Sequence, residues 1–225
     1  MSSLDLILKN GTVFLPQGRT TTDIGVKDGK ITQIGPCSEA NQVIDCTNLF
    51  IFPGLVDTQW HFREPGGEHK ETIQTGTMAA ALGGIVGIFE MPNTNPLTTT
   101  PEALDHKIKR GNETAYTDFA YYFGGTYQNS TNLKEWENLD GVCGIKIFMG
   151  ASTGNLLSAT DEEVEAVVAN GKRVIAVHAE DEFLMNENKK TILKDRYDGG
   201  MHCKWRDVNS SLNATKRVVG LAKKH

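Results

Sequence analysis

The 225-residue sequence lacks the features that mark several large classes of protein. No apolar run approaches the roughly 20 residues that a membrane-spanning helix needs, and the N-terminus has neither the basic start nor the apolar stretch of a signal peptide. The four cysteines form no CxxC pair and no disulfide framework. No basic cluster accompanies the net charge of −5, which argues against a nucleic-acid partner. We therefore expect a globular, cytoplasmic protein that binds neither a membrane nor nucleic acid.

The first part of the chain has the pattern of short β-strands. Residues 3 to about 53 contain strand-like runs that are interrupted by Asn10-Gly11 and Asp28-Gly29, dipeptides that are typical of tight hairpins. Strands this short form a sheet too small to bury much surface alone. The sequence therefore predicts a small β-sandwich portion over residues 1–53.

From Leu55 onward, apolar runs alternate with helical patterns, which is typical of a parallel sheet covered by helices. One helix start carries a capping box, Thr160-x-x-Glu163. Five β–α units fit into residues 54–225, whereas a closed (β/α)8 barrel typically takes about 250 residues. An open doubly wound sheet fits the length, but no glycine-rich phosphate loop follows the first strand. The pattern predicts an α/β fold and leaves both arrangements open.

In either arrangement, functional residues gather at the carboxyl ends of the strands. The first such strand ends in DTQWHFREPGG. Gln59, His61 and Arg63 alternate in this stretch with a period of two, so their side chains share one face. Trp60 and Phe62 occupy the opposite face, where covering helices would pack. The alternation indicates a pocket lined by polar groups.

Lys146 lies between Ile145 and Ile147 in the strand GIKIFMG, which is expected to be buried on both faces. An unpaired ammonium there is costly, so its pKa should fall or a partner should neutralise it. A neutral amine can react with carbon dioxide to form an anionic carbamate, which could bridge two metal ions. The alternative is an edge strand with Lys146 in water.

The histidines separate into two groups. His61 and His178 each follow a strand, which makes both candidate metal ligands. His69 and His106 fall in charged helical stretches and His202 in a polar loop, so we expect these three to be solvated.

The stretches PGLVDTQWHFREPGGEHKETIQTGTMAAALGG and EMPNTNP resemble the dihydroorotases, cyclic-amide hydrolases of the amidohydrolase superfamily. GIKIFMGASTGNLL and VIAVHAED fall where that family places its next two metal-ligand strands. The resemblance implies a (β/α)8 TIM-like barrel, of which about five β/α units are present, plus part of a small N-terminal β-sandwich. It also implies the metal-dependent interconversion of dihydroorotate and N-carbamoyl-L-aspartate in pyrimidine biosynthesis.

The resemblance extends to individual residues. His61 matches the second histidine of the family's H-x-H metal motif, Lys146 its carboxylated bridging lysine, and His178 a further ligand, with zinc as the expected metal. Arg63 and Asn93 match the residues that hold the substrate's carboxylate, and a guanidinium fork suits that task.

Two departures from the family pattern matter. Gln59 stands where the first histidine ligand is expected, and a neutral amide is a weak ligand beside imidazole. We therefore predict a single ion, or two ions of which one is loosely bound. The family's later histidine ligand and its general-base aspartate would lie beyond His225, so no catalytic base is assigned. We expect the sequence to be the N-terminal portion of a longer enzyme.

Two other functions remain open. The chain could be a non-catalytic homologue that serves as a structural partner, for example of aspartate transcarbamoylase, or a hydantoinase- or dihydropyrimidinase-like hydrolase. Arg63 and Asn93 favour a small-molecule substrate with a ring carboxylate, which hydantoins and dihydropyrimidines lack. We expect the protein to form a homo-oligomer, namely a dimer. We also expect an association with aspartate transcarbamoylase, which dihydroorotases show in some lineages.

Overall fold

The computed structural model describes residues 3–151, 156–192 and 198–225. The chain divides into two compact units, Met1–Gly54 and Leu55–His225. No helix within the described ranges is long and apolar enough to cross a membrane.

The first unit is a five-stranded sheet. Its strands are β1 (Leu4–Leu15), β2 (Gly18–Lys27), β3 (Lys30–Ile34), β4 (Ala40–Asp45) and β5 (Phe50–Ile51). β1, β2 and β3 form an antiparallel meander, while β4 and β5 both pair in parallel with β1. The β-strands predicted for this region are therefore present, but β1 and β2 are longer than the short strands expected.

The two predicted hairpins have different outcomes. Asp28 and Gly29, with φ of 51° and 70°, form the predicted turn between β2 and β3. The hairpin predicted at Asn10-Gly11 is wrong, because β1 runs through it with a bulge and turns only at residues 16–17. Asn10 takes φ of 63°, and its N–H donates to the buried carboxylate of Asp23 at 2.9 Å. A positive φ suits a bulge as well as a turn, and the internal acceptor favours the bulge.

The second unit is a parallel sheet whose strands are each followed by helical structure. Its elements are β6 (Leu55–Trp60), α1 (Ile73–Leu82), β7 (Ile85–Glu90), α2 (Pro101–Thr114), β8 (Asp118–Gly124), α3 (Leu133–Trp136), β9 (Val142–Phe148), α4 (Asp161–Asn170), β10 (Ile175–His178), α5 (Glu182–Ile192), α6 (Gly199–Trp205) and α7 (Val208–Ala222). The strands follow chain order across the sheet. A doubly wound sheet would reverse its order partway, so the five units have the arrangement of a (β/α) barrel.

Threonine caps begin the first helices of this unit. Thr100 accepts a hydrogen bond from the backbone of α2, and Thr72 forms a capping box with Thr75 at the start of α1. The capping box predicted at Thr160 and Glu163 is confirmed at the start of α4. Each cap satisfies backbone N–H groups that have no partner within the helix.

Helices cover the outer face of the sheet. Ile145 and Ile147 of β9 pack with Val164, Val167 and Ala214, which come from α4 and α7. Phe62, beyond the end of β6, packs on α1 so closely that a Cβ at Gly76 would lie 2.4 Å from its ring. This close approach requires glycine within the helix. The side chains that alternate with these apolar residues along the strands point to the opposite, inner face of the sheet.

Candidate functional site

The alternation at the end of β6 separates polar from aromatic side chains. Trp60 and Phe62 pack with Ile73 and Ile88 on the helix side of the sheet. Gln59 is exposed and lines a cleft together with Lys146 and His178. The face predicted to carry polar groups is therefore the inner face, where strand ends from different β–α units meet.

His61 is held by a side chain from the next strand end. Its Nδ1 lies 2.9 Å from Oδ1 of Asn93, which follows β7. Because an amide oxygen accepts, Nδ1 carries the proton and Nε2 keeps its lone pair. Burial is the main reason that the pKa of His61 falls; the hydrogen bond to Asn93 opposes the fall, and the charges of Arg63 and Lys146 add to it. The imidazole is therefore kept neutral, which is the form that binds metals.

Lys146 is buried in β9, as the sequence predicts, with 2% of its surface exposed. Burial lowers the pKa of its amine from 10.5 to about 8. The amine lies 5.0 Å from the ring centroid of Phe148, and no carboxylate of the described residues pairs with it. Lys146 thus combines an inner-face position with an amine that loses its proton readily. The alternative of a solvated edge lysine is wrong.

His178 ends β10 and is part of a chain of polar contacts. Its Nε2 lies 2.6 Å from Oε2 of Glu180, and Arg206 donates from Nη2 to the same oxygen at 2.5 Å. Hydrogen bonds from Arg206 are the main reason that the pKa of Glu180 falls. The ionised carboxylate can only accept, so Nε2 of His178 donates to it, and in the neutral imidazole the lone pair lies on Nδ1.

The inner-face residues open into a cleft of about 760 Å³. One wall carries Gln59, Lys146 and His178, and another carries residues from α6 and the start of α7. His202, expected in a polar loop, is exposed but lies on α6 and lines this cleft with Cys203. The helix α6 was not predicted, because the sequence Asp198-Gly-Gly is typical of a turn. Asp198 is the residue from which the helix could have been predicted, since its side chain is the N-cap and accepts a hydrogen bond from Gly200 N.

Arg63 and Asn93 line a second hollow of about 400 Å³, together with Lys70. Two loops form it, and they are joined closely, because Asn95 N donates to Pro65 O at 3.0 Å. Gly66 takes φ of 94°, and a Cβ there would lie 2.5 Å from Asn95 O. The structure thus brings the two predicted carboxylate-binding residues to one hollow, beside His61.

The acidic residues at the ends of β6 and β7 have structural roles. Glu64 is buried, accepts a hydrogen bond from Ile73 N at the start of α1, and forms an ion pair with Arg110. Glu90 is fully buried and forms an ion pair with Lys107 of α2, which is 1% exposed. Burial raises the pKa of Glu90 to about 7. Neither carboxylate lines the cleft.

The donor set determines whether a metal ion fits this site. Within the described residues, no group of three or more His, Cys, Asp or Glu side chains is placed to hold a metal. His61 and His178 each have one ring nitrogen oriented by an oxygen acceptor on the other nitrogen, as metal-binding histidines usually are. An ammonium at Lys146 would repel a cation, whereas a carbamate would supply the third, anionic ligand. The residues therefore fit a divalent ion when Lys146 is carboxylated.

Comparisons with known proteins identify relatives along the whole chain. The family model described as dihydro-orotase-like matches residues 48–197. A dihydroorotase of Methanosarcina acetivorans is 32% identical over 222 residues, which cover 96% of this chain and 47% of that protein. An allantoinase of Salmonella paratyphi B is 33% identical over 232 residues, covering 98% of this chain and 51% of that protein. The chain thus spans about half the length of these relatives.

The fold has a similar counterpart among solved structures. The L-hydantoinase (dihydropyrimidinase) of Arthrobacter aurescens superposes with a TM-score of 0.89 at 32% identity, covering 98% of this chain and 51% of that one. The match confirms the predicted fold class, part of a TIM-like barrel with part of a β-sandwich. On the family model and these relatives, the chain belongs to the dihydro-orotase-like family of cyclic amidohydrolases.

Proposed function

We propose that the chain carries the metal-ligand and carboxylate-binding part of a dihydroorotase, which interconverts dihydroorotate and N-carbamoyl-L-aspartate. The observation that carries the proposal is the hollow that Arg63 and Asn93 share beside His61. A ring carboxylate bound there would place the cyclic amide of the substrate near the inner-face cleft. Pyrimidine biosynthesis is the corresponding pathway.

Arg63 has the character of a ligand-binding arginine. It is half-buried and lines the hollow, and no carboxylate of the described residues pairs with it. The other acids nearby are already engaged, Glu64 by Arg110 and Glu90 by Lys107. A guanidinium can donate two parallel hydrogen bonds to a carboxylate, and Lys70 adds a second positive charge to the same hollow.

The proposed metal is zinc, held by His61, His178 and carboxylated Lys146. When bound, such an ion polarises the ring carbonyl and lowers the pKa of a water molecule. Asn93 orients His61 and Glu180 orients His178, so each presents a lone pair. Gln59 lines the cleft as a neutral amide, which supports one ion or a weakly held second one.

The second candidate is a hydrolase of hydantoins or allantoin. The allantoinase and L-hydantoinase relatives support it as much as the dihydroorotase relative supports the first. The two candidates differ in the substrate carboxylate, which hydantoin and allantoin lack. Arg63 is therefore the residue whose role separates them.

The test uses two ligands that differ only in that group, dihydroorotate and dihydrouracil. Hydrogen bonds to a charged group contribute about 1.5–3 kcal/mol, so dihydroorotate should bind roughly 10- to 100-fold more tightly to the zinc-loaded protein. Arg63→Ala should remove most of the preference, whereas Lys109→Ala, on the exposed face of α2, should keep it. Equal binding of the two ligands by the unmodified protein would favour the hydantoinase-like candidate.

Turnover separates an enzyme from a non-catalytic homologue. Ring opening of dihydroorotate by the zinc-loaded protein would contradict the structural-partner alternative. Dimer formation and association with aspartate transcarbamoylase stay predictions, which sedimentation of the chain alone and with that enzyme would test.

A further inference from the structure

Arg206 connects three parts of the second unit. It follows α6, and its Nε donates to both oxygens of Glu180 at 3.1 and 3.2 Å, while Nη2 donates to Oε2 at 2.5 Å. The same Nη2 donates to the carbonyl of Ala151, just beyond β9, at 2.9 Å. One side chain thus joins the segment after β10, the segment after β9 and the end of α6.

The guanidinium has little freedom to leave this position. Its side chain is 13% exposed and lies 4.8 Å from the ring centroid of Trp205, which is buried. Ala151 is fixed from its other side, because its N–H donates to Glu182 of α5 at 2.6 Å. The Glu180 carboxylate is therefore held by a cation that is itself fixed by stacking and by a backbone carbonyl.

The held carboxylate controls His178. Oε2 of Glu180 lies 2.6 Å from Nε2 of the imidazole, so the proton is kept on Nε2. The ring of Phe148 packs beside the imidazole, with ring centroids 5.8 Å apart. We propose that Arg206 is a positioning residue that, through Glu180, fixes His178 in the Nε2–H form with Nδ1 available to a metal ion in the cleft.

The inference deepens the proposed function, since it rests on His178 being a metal ligand. Its first half, the control of the tautomer by Arg206, can be measured without metal or substrate. The positioning role of Arg206 and the proposed function can therefore fail separately. A fixed tautomer in a protein that binds no metal would contradict the proposed function and leave the positioning role in place.

The experiment uses nitrogen NMR of the metal-free full chain with 15N-labelled histidine, which distinguishes the two neutral tautomers. His178 should be in the Nε2–H form, and Arg206→Gln should convert it to a mixture. Arg173→Gln is the matched control, because Arg173, between α4 and β10, also joins separate segments, through the carbonyls of Glu137 and Val142 at 2.8 Å, without contacting Glu180 or His178. The control should keep the Nε2–H form.

Titration with Co²⁺ gives the second readout. Loss of an outer-shell partner typically costs about 10- to 100-fold in metal affinity, and Arg206→Gln should show a loss of that size. Arg206→Lys, which keeps a cation beside Glu180, should restore part of it. An Nδ1–H form of His178 in the unmodified protein would overturn the inference even if no variant folds. Arg206→Gln with an unchanged tautomer and unchanged Co²⁺ affinity would show that Arg206 only stabilises the fold.

Discussion

His61 and Asn93 form a hydrogen bond of 2.9 Å between Nδ1 and Oδ1, which joins the ends of β6 and β7. The family resemblance implies that Asn93 holds substrate, whereas this contact gives it a second role as the acceptor that orients a ligand histidine. The two roles predict different consequences when Asn93 is changed.

Replacement of Asn93 should weaken metal binding as well as substrate binding. Asn93→Ala removes the acceptor from Nδ1, and we expect Co²⁺ affinity to fall by about 10- to 100-fold. Asn93→Asp keeps an acceptor and should retain most of the affinity. Arg63→Ala serves as the comparison. Arg63 lines the same hollow but forms no hydrogen bond with His61, so its removal should leave the orientation of His61 unchanged. Unchanged Co²⁺ affinity in Asn93→Ala would show that Asn93 does not orient the ligand.

Gln59 should limit metal affinity. It lines the cleft with Lys146 and His178, and Gln59→His would replace a weak amide donor by imidazole. Because even outer-shell changes shift affinity by about 10- to 100-fold, we expect Gln59→His to bind Co²⁺ at least about tenfold more tightly. Gln59→Asn keeps the amide and should show no gain. Equal affinities of all three proteins would place residue 59 outside the metal's surroundings.

Carboxylation of Lys146 should increase from pH 7 to pH 9. The pKa of its amine, lowered by burial from 10.5 to about 8, leaves about a tenth of it neutral at pH 7 and about nine tenths at pH 9. Only the neutral amine attacks carbon dioxide, so the carbamate signal from ¹³C-bicarbonate should rise across this interval in NMR spectra. Lys146→Met should remove the signal. A signal of the same strength in Lys146→Met would assign the carbamate to another amine.

The buried pair of Glu90 and Lys107 should behave as a unit in unfolding experiments. Lys107→Met leaves a buried carboxylate without its cation, and we expect the free energy of unfolding in urea to fall by about 3–5 kcal/mol. The double variant Glu90→Leu with Lys107→Met should recover most of that loss. Lys190→Met breaks an exposed pair with Glu187 and should change little. A double variant as unstable as the single one would mean that Lys107 acts by packing.

Features set by local sequence could be predicted. The alternation of Gln59 and His61 with Trp60 and Phe62 follows from the two-residue period of a strand. The burial of Lys146 follows from its isoleucine neighbours, and the Thr160 cap from a local motif. Each of these depends on residues within a few positions of one another.

Contacts between distant segments could not be predicted. Arg206 lies 26 residues from Glu180, and Asp23 lies 13 residues from the bulge that it stabilises at Asn10. No periodicity relates such partners, since the fold and not the local sequence brings them together. The orientation of the Glu90 side chain could not be predicted either, because an acid at a strand end can point to either face of the sheet. Its ion pair with Lys107 of α2 is what places it on the helix side.

The distribution of acids over the two faces has a consequence for the order in which the proposed site assembles. Glu64 and Glu90 are engaged on the helix side, and Glu180 is neutralised by Arg206. The ammonium of Lys146 therefore opposes an incoming cation until it loses its proton and the neutral amine adds carbon dioxide, which releases a second proton and leaves an anionic carbamate. Carbon dioxide would thus have to bind before the metal, which makes bicarbonate in the buffer a requirement for loading metal-free protein.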